Sequence, residues 1–387
     1  MHTILYVSTH TEMGGAQHSF LDVIRTVDTA RFRPVAVVNN RGELFQRLEQ
    51  LKVDTEVIPF TTPLPFIQIL NPLVWLRNII ALVRMSSLAS RRSVSLIHCN
   101  DGAALYFIGL AKILHGVPVL FHVRWFEEGV RKALVFFAVR RWVDRIVTNS
   151  AAVRTYVQQA LPGSRIDVSV VYNAVDTNIF HPLLPKNGLR DELRLPDRQQ
   201  IVGMVGRFVS WKNHALFIRM ARRFRDGGNA VAFCLIGAAQ FKRYTPNAER
   251  LRQSLLELIR QEGLEGEVYF LGYRADIERA VAGLDVLVCP SENEPFGRVV
   301  IEAMACGVPV VAANSGGIPE IITHGVDGLL VPVNDEAALV DCLKQLIADR
   351  ALRQRLSAAG RTTVEQRFSL RHLQQALHGV YNELLTD

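Results

Sequence analysis

Residues 290–322 read PSENEPFGRVVIEAMACGVPVVAANSGGIPEII. An apolar run of strand length, 286–290, leads into them. A polar loop with Pro295 and Gly297 follows, then an apolar helical run over 299–305 that contains Glu302. A second apolar run, 308–313, ends at Asn314-Ser315-Gly316-Gly317. Strand, loop, helix and strand in that order predict parallel strands of one sheet covered by helices. In such sheets ligands bind beyond the carboxyl ends of the strands, so the loop 291–298 is a candidate site.

Pro295 favours the first helical position, which predicts Glu294 at or near the N-cap. Glu302 then lies roughly 12 Å further along the axis, at about 1.5 Å per residue. Two carboxylates straddling one reacting bond stand about 5–10 Å apart, so the longer spacing suits two parts of one extended ligand. An ordinary N-cap for Glu294 and a buried salt bridge for Glu302 are equally open readings of the spacing. The double glycine that follows lets a backbone approach a ligand closely, or makes a plain turn.

Outward from this segment the same alternation recurs. Apolar runs at 201–206, 231–237, 268–272, 286–290, 308–313 and 328–333 read as strands of a second half. Runs at 4–8, 34–39, 55–60, 96–100, 117–123 and 145–149 read as strands of a first. The intervening lengths fit crossover helices, so the expectation is α/β with two Rossmann-like domains facing each other. HPLLPKN, residues 181–187, breaks the pattern with two prolines and reads as the linker. The expected domains are 1–182 and 183–368, with a last helix over 369–387 reaching back to the first.

Composition agrees. The 387 residues are 49% hydrophobic, 21% charged and 8% aromatic, with 26 Gly and 16 Pro, which excludes disordered, collagen-like and coiled-coil chains. The longest uncharged stretch, 57–76, carries four prolines and reads as no membrane span. Residues 1–10 show no signal-peptide pattern. Five scattered cysteines without CxxC spacing suggest buried thiols and a cytoplasmic setting, with no metal site expected. Residues 1–184 hold 19 Lys and Arg against 13 Asp and Glu; residues 185–387 hold 25 against 24. The excess in the first half points to an anionic partner.

GxGxxG after the first strand, GxxxxGK[ST] and DxD are all missing, which disfavours nicotinamide dehydrogenases, P-loop enzymes and a diphosphate-bound metal. The loop GRFVSWKN, 206–213, instead places Arg207 and Lys212 between a strand end and a helix. Arg forks onto two phosphate oxygens and Lys supplies a point charge, although two solvated cations explain the pair as well.

GRFVSWKN and the 290–322 segment together resemble the donor-binding domain of the family 4 retaining glycosyltransferases, which adopt the GT-B fold. Glu294 and Glu302 resemble that family's E-x7-E motif. In the first half, Gly14-Gly15 after the first strand, HVR at 122–124, VTNS at 147–150 and YNAVDTNIF at 172–180 resemble the same family. The likeness covers most of residues 1–335 and is weak over 57–95.

The resemblance implies metal-free, cofactor-free transfer of a sugar from a nucleotide-diphosphate sugar with retention. It implies that Arg207 and Lys212 neutralise the diphosphate and that Glu294 accepts from sugar hydroxyls beside Pro295, Phe296, Gly297 and Arg298. It further implies that Glu302 holds the ribose, that Tyr273 and Arg274 lie near the base, and that His122 and Gly14-Gly15 lie near the reacting centre. Asn173-Ala174 replaces the family's usual NG, and Gly237-Ala238-Ala239-Gln240 replaces a GxGP-like turn, so the base stays open between uridine and guanosine. A nucleotide-sugar epimerase, a phosphorylase and an inactive sugar-nucleotide-binding subunit are the alternatives. No pyridoxal-lysine setting supports a phosphorylase, and no aromatic-basic interleaving supports nucleic-acid binding.

Residues 57–100 contain no acidic residue, and Arg77, Arg84 and Arg91 recur every seven positions beside Arg92. This reads either as a basic amphipathic helix lying on anionic lipid or as a crossover helix with a solvated face. Arg124 and Trp125 are expected on the same acceptor or membrane side. A glycan or lipid-linked acceptor, and a peripheral position at a membrane, are the corresponding expectations.

Overall fold

The structure, a computed structural model, describes residues 1–10, 12–60, 72–227, 231–237 and 245–386. It divides into two compact units, Met1–Asn173 with Arg371–Asp387, and Ala174–Leu370.

The first unit runs β1 (His2–Ser8), α1 (Gly15–Arg25), β2 (Phe32–Val38), α2 (Glu43–Gln50), β3 (Asp54–Val57), α3 (Pro72–Arg91), β4 (Val94–Cys99) and α4 (Leu105–His115). It continues with β5 (Val119–Val123), α5 (Gly129–Trp142), β6 (Arg145–Thr148), α6 (Ala151–Ala160) and β7 (Asp167–Val170). The second unit runs α7 (Gly188–Glu192), β8 (Gln200–Val205), α8 (His214–Asp226), β9 (Val231–Ile236), α9 (Thr245–Gln261), β10 (Val268–Gly272) and α10 (Ile277–Ala282). Then come β11 (Val286–Cys289), α11 (Arg298–Ala305), β12 (Val310–Ala313), β13 (Leu329–Val331), α12 (Glu336–Ala348) and α13 (Arg350–Arg367). The closing helix α14 (Leu370–Thr386) falls almost wholly in the first unit.

Each unit holds one parallel sheet, ordered β3-β2-β1-β4-β5-β6-β7 and β10-β9-β8-β11-β12-β13. In both, strand order reverses beside the unit's first strand, between β1 and β4 and between β8 and β11. Crevices at such reversals take ligands in open parallel sheets. The central strands are buried on both faces, which is why they read as unbroken apolar runs. In the first sheet Leu5, Val7, Ile97, Cys99 and Phe121 pack with residues of α3, α4 and α5. Tyr6 and Phe32 turn to the other face and meet α1 and α14 through Phe20 and Tyr381.

Helix ends follow local chemistry. Ser150, Asp335 and Asp349 cap α6, α12 and α13 by accepting from Val153, Ala338 and Leu352 backbone N–H groups. The five cysteines are free, four of them buried.

Two readings change. The division falls at 173/174, ahead of the prolines of 181–187, because the chain after Asn173 joins the second unit. Val175 N–H donates to the Phe368 carbonyl at 2.9 Å, and Arg361 donates to the carbonyls of Phe180 and Ala305. Strand β7 was not expected, since its one exposed and three half-exposed residues carry too little apolar signal at a sheet edge. The Ala238-Ala239-Gln240 turn lies outside the described residues.

Candidate active site

In the second unit the loop after β8 and the loop after β11 meet at the strand-order reversal. Beyond β8 a single 3-10 turn, Ser210–Lys212, ends at Asn213 in the left-handed region, φ 62°, before α8 begins. The turn carries Lys212 inward, 9% exposed, with Nζ 2.5 Å from Glu294 Oε2 and 4.6 Å from the Trp211 ring centre. The Glu292 N–H donates to the Trp211 carbonyl at 2.8 Å, tying the two loops together. Arg207 sits half-buried on the same loop.

Glu294 is not a helix cap. Gly297 occupies that position with φ 106°, and α11 starts at Arg298, so Pro295 and Phe296 precede the helix. A left-handed N-cap lets the chain turn sharply after Phe296, which is 2% exposed and packs edge-on to Phe368 at 5.8 Å. That buried ring contributes about 1.5–3 kcal/mol and anchors the loop. The Glu294 carbonyl accepts from Gly317 N–H at 2.8 Å, and a Cβ on Gly316 (φ 56°) would stand 2.0 Å from that oxygen. Only glycine fits there. Glu302, 9% exposed, accepts from Arg298 Nε at 2.7 Å across one helical turn. Each carboxylate of the expected donor site is thus matched by a cation.

His214, which opens α8, is a residue the sequence gave no reason to choose. It is 3% exposed and packs against Phe208 at 5.1 Å, and burial, then the charge of Lys212, pushes its pKa down to about 4. Arg274 is held by two carboxylates. Its Nη1 donates to both Glu192 oxygens at 2.7 Å, and its Nε and Nη2 fork onto Asp276 at 2.9 Å. These partners consume its donors and raise its pKa, with Asp276 the larger cause. It follows β10, two strands from β8, as does the half-exposed Tyr273.

In the first unit, Gly14 is the N-cap of α1 with φ −156°, and a Cβ on Gly15 would meet open space. Neither glycine is required by backbone strain; Gly14 is buried and Gly15 exposed. His122, in β5, is fully buried. Its Nδ1 lies 3.0 Å from Arg124 Nη2 and 3.2 Å from His98 Nε2. His98 Nδ1 lies 2.7 Å from the Tyr381 hydroxyl, which is 3.2 Å from that of Tyr6. Burial, then Arg124, lowers the His98 pKa to about 3, and the same causes with His98 lower that of His122.

Arg124 is not on an outer side. It is 5% exposed and donates to Asn100 at 3.0 Å, to Asn173 and to His122. Trp125 is half-buried and donates to Glu127 at 2.5 Å. On α3, Arg91 and Arg92 pair with Glu56 and Asp54, and Arg84 donates to the Val57 carbonyl at 3.1 Å. Three of these four arginines are therefore held at β3, with Arg77 exposed beyond it. What α3 shows instead is apolar: Leu73, Trp75, Leu76, Ile79, Ile80 and Val83 are each about half exposed or more. By length and composition Pro72–Arg91 is the one described helix long and apolar enough to cross a membrane, and 28% of its most apolar stretch of 18 residues is buried.

Three rings held neutral by burial make stability depend on acid. In the unfolded chain a histidine takes up a proton near pH 6.5, whereas folded His98, His122 and His214 do so only well below it. Their contribution is present above pH 6.5 and is lost as pH falls toward the folded values. Each ring adds a slope of about 1.4 kcal/mol per pH unit in that window. Urea unfolding is expected to show a drop of several kcal/mol between pH 7 and pH 5, spread over both units. A midpoint unchanged to pH 5 would show that the rings are not held neutral.

Residues 13–179 match the family described as Glycosyltransferase Family 4, and residues 186–363 that described as Glycosyl transferases group 1. The chain is similar to alpha-maltose-1-phosphate synthase of Mycolicibacterium smegmatis, 30% identical over 300 residues, 71% of this chain and 75% of that protein. It is similar to the lipopolysaccharide core biosynthesis mannosyltransferase LpsB of Rhizobium meliloti, 28% identical over 64% of this chain and 68% of that protein. Among solved structures, Anabaena HepE in complex with UDP-glucose superposes with a TM-score of 0.84 at 27% identity, covering 98% of this chain and 99% of that one.

Proposed function

The chain belongs to the family 4 glycosyltransferases, with the GT-B fold, and from that premise we propose that it moves a hexose or N-acetylhexosamine from a UDP- or GDP-linked donor to a glycan or lipid-linked acceptor, with retention and without a metal. One observation carries the reading: Lys212, on the same loop as Arg207, is buried against Glu294 where strand order reverses in the second sheet.

As the glycosidic bond breaks, its electron pair goes to the diphosphate oxygen. Fixed cations facing that oxygen stabilise the developing charge without reorganising. Glu294, beside them and acceptor-only while ionised, suits sugar hydroxyls. Glu302, oriented by Arg298, suits a second pair of hydroxyls. The acceptor hydroxyl attacks from the side of the departing diphosphate and gives its proton to the phosphate oxygen, so no carboxylate nucleophile is needed.

UDP-glucose is the first donor to test, because the similar Anabaena protein holds it. The lipopolysaccharide core role of the Rhizobium relative and the exposed apolar row of α3 support a lipid-linked or cell-surface acceptor at a membrane face. The test is a panel of UDP- and GDP-sugars in EDTA, read by thermal shift and by slow nucleotide release. One sugar nucleotide at 100 times its Kd is expected to stabilise the protein by about 2.7 kcal/mol and to be hydrolysed slowly. A protein that binds none of them, with or without metal, is not this enzyme.

A further inference from the structure

We infer that the outward face of α3, from Leu73 to Val83, is a membrane anchor that lies in the interface of an anionic phospholipid bilayer without crossing it. The helix has two apolar sides. At about 100° per residue, Ala81, Met85, Leu88 and Ala89 fall on one side, where they are buried in the core of the first unit. Leu73, Trp75, Leu76, Ile79, Ile80 and Val83 fall on the opposite side, each 49–72% exposed. Arg77 and Arg84 lie on the border between the two. A helix that only covers a sheet needs one apolar side, with polar residues opposite. A second apolar side, edged by arginine, is suited to a second apolar medium. The 20 residues are long enough to cross a bilayer at about 1.5 Å each. Crossing would strip Ala81, Met85, Leu88 and Ala89 from the core, so the helix lies along the surface instead.

Charge identifies what covers this face. Helices α3, α4 and α5 pack over the same side of the first sheet, and together they hold eight Lys and Arg and no Asp or Glu. Ten of the sixteen exposed large apolar side chains among the described residues lie on these three helices. Arg91, Lys112 and Arg131 have carboxylate partners outside them, whereas Arg77, Arg140 and Arg141 are exposed. A layer that is apolar, cationic and without carboxylates suits lipid phosphate. A second copy of the chain suits it less. A two-fold contact would set the same patch against itself, arginine opposite arginine, with no acid on these helices to answer. Beside the anchor, Arg77 and Arg84 line a cavity of about 460 Å³ with Pro59, Leu76, Ile80 and Ala81. That lining matches one lipid phosphate and the start of its chain.

The attachment does not rest on the sugar-transfer reading, and it is tested on the full chain without nucleotide. Vesicles of equal parts phosphatidylglycerol and phosphatidylcholine are expected to carry the protein down on sedimentation. Phosphatidylcholine alone is expected to bind at least about tenfold more weakly, since each facing cation is worth about fivefold. The double variant Ile79→Ser, Ile80→Ser is expected to bind about a hundredfold more weakly, with an unchanged unfolding midpoint because both side chains face outward. Brominated acyl chains are expected to quench tryptophan emission in the wild type and not in Trp75→Phe. Wild-type binding by the double variant, quenching kept in Trp75→Phe, or equal binding to neutral vesicles overturns the proposal. So does binding that appears only when a polyprenyl phosphate is added, which would give the face to a lipid-linked acceptor. A dimer in sedimentation equilibrium that the double variant dissolves would give it to a second copy, and overturns the proposal too. A protein that binds vesicles and transfers no sugar loses the proposed function and keeps its anchor; one that transfers sugar and ignores vesicles does the reverse.

Discussion

Lys212→Met and Glu294→Gln are each expected to abolish measurable transfer and weaken the fold, while the double variant regains stability and stays inactive. The two groups lie 2.5 Å apart with 9% and 7% of their surfaces exposed. Removing one leaves the other charge buried and unpaired, at a cost of about 3–5 kcal/mol. Removing both leaves no charge to bury, and such replacements are close to neutral. Activity follows different rules. Without Lys212 the leaving diphosphate loses a fixed cation, worth about 10²–10³ in kcat. Without the Glu294 carboxylate the sugar loses its acceptor. The test is a double-mutant cycle by urea unfolding, beside initial rates with the sugar nucleotide that the binding panel selects. Additive stability losses would mean that the ion pair is not a coupled unit. An active double variant would move the donor site elsewhere.

How far this site was legible in the sequence depends on how local its determinants are. The strand ends at Cys289 and Ala313 and the cation loop after β8 follow from apolar runs broken by Gly and Pro, a signal of a few residues. Pro295 misled in a specific way. Proline marks helix starts, but Gly297 at φ 106° defers α11 to Arg298, and the sequence does not reveal which of the two prevails. Nothing near Arg274 in the sequence reveals its partner Glu192, which comes from α7 and lies at 2.7 Å.

Partners distant in the chain were the least legible. Arg124 looked like an outer charge because Asn100 and Asn173, which hold it, come from other parts of the chain. The arginines of α3 left two readings open because Asp54 and Glu56, the partners of Arg92 and Arg91, lie in a different stretch of sequence. Tyr381 reaches His98 only once the closing helix folds onto the first sheet. A local signal for His98 did exist. HCN at 98–100 ends β4 as HVR at 122–124 ends β5, two strand ends with a histidine on the same face.

The second large effect is expected from a single methyl group. In Gly316→Ala the new carbon would stand 2.0 Å from the Glu294 carbonyl oxygen and 2.8 Å from its carbon. These are backbone atoms, so the conflict is not relieved by turning a side chain. The residue also has φ 56°, where alanine carries a cost of about 1–2 kcal/mol. Gly325 separates the two causes. Its φ is 76°, and a Cβ there would meet nothing within 4 Å. Gly325→Ala is therefore expected to lose only that cost of about 1–2 kcal/mol and to transfer sugar normally. Gly316→Ala must push the Glu294 backbone away, breaking the 2.8 Å bond from Gly317 and turning the carboxylate off Lys212. A displacement of about 1 Å at a positioning group costs up to 10²-fold in rate. Its stability loss is expected to exceed about 4 kcal/mol, the range reserved for conflicts of this kind. Thermal unfolding and initial rates on the two variants decide the matter. If Gly316→Ala kept wild-type rates, the Gly316–Glu294 contact would not set the aim of that carboxylate.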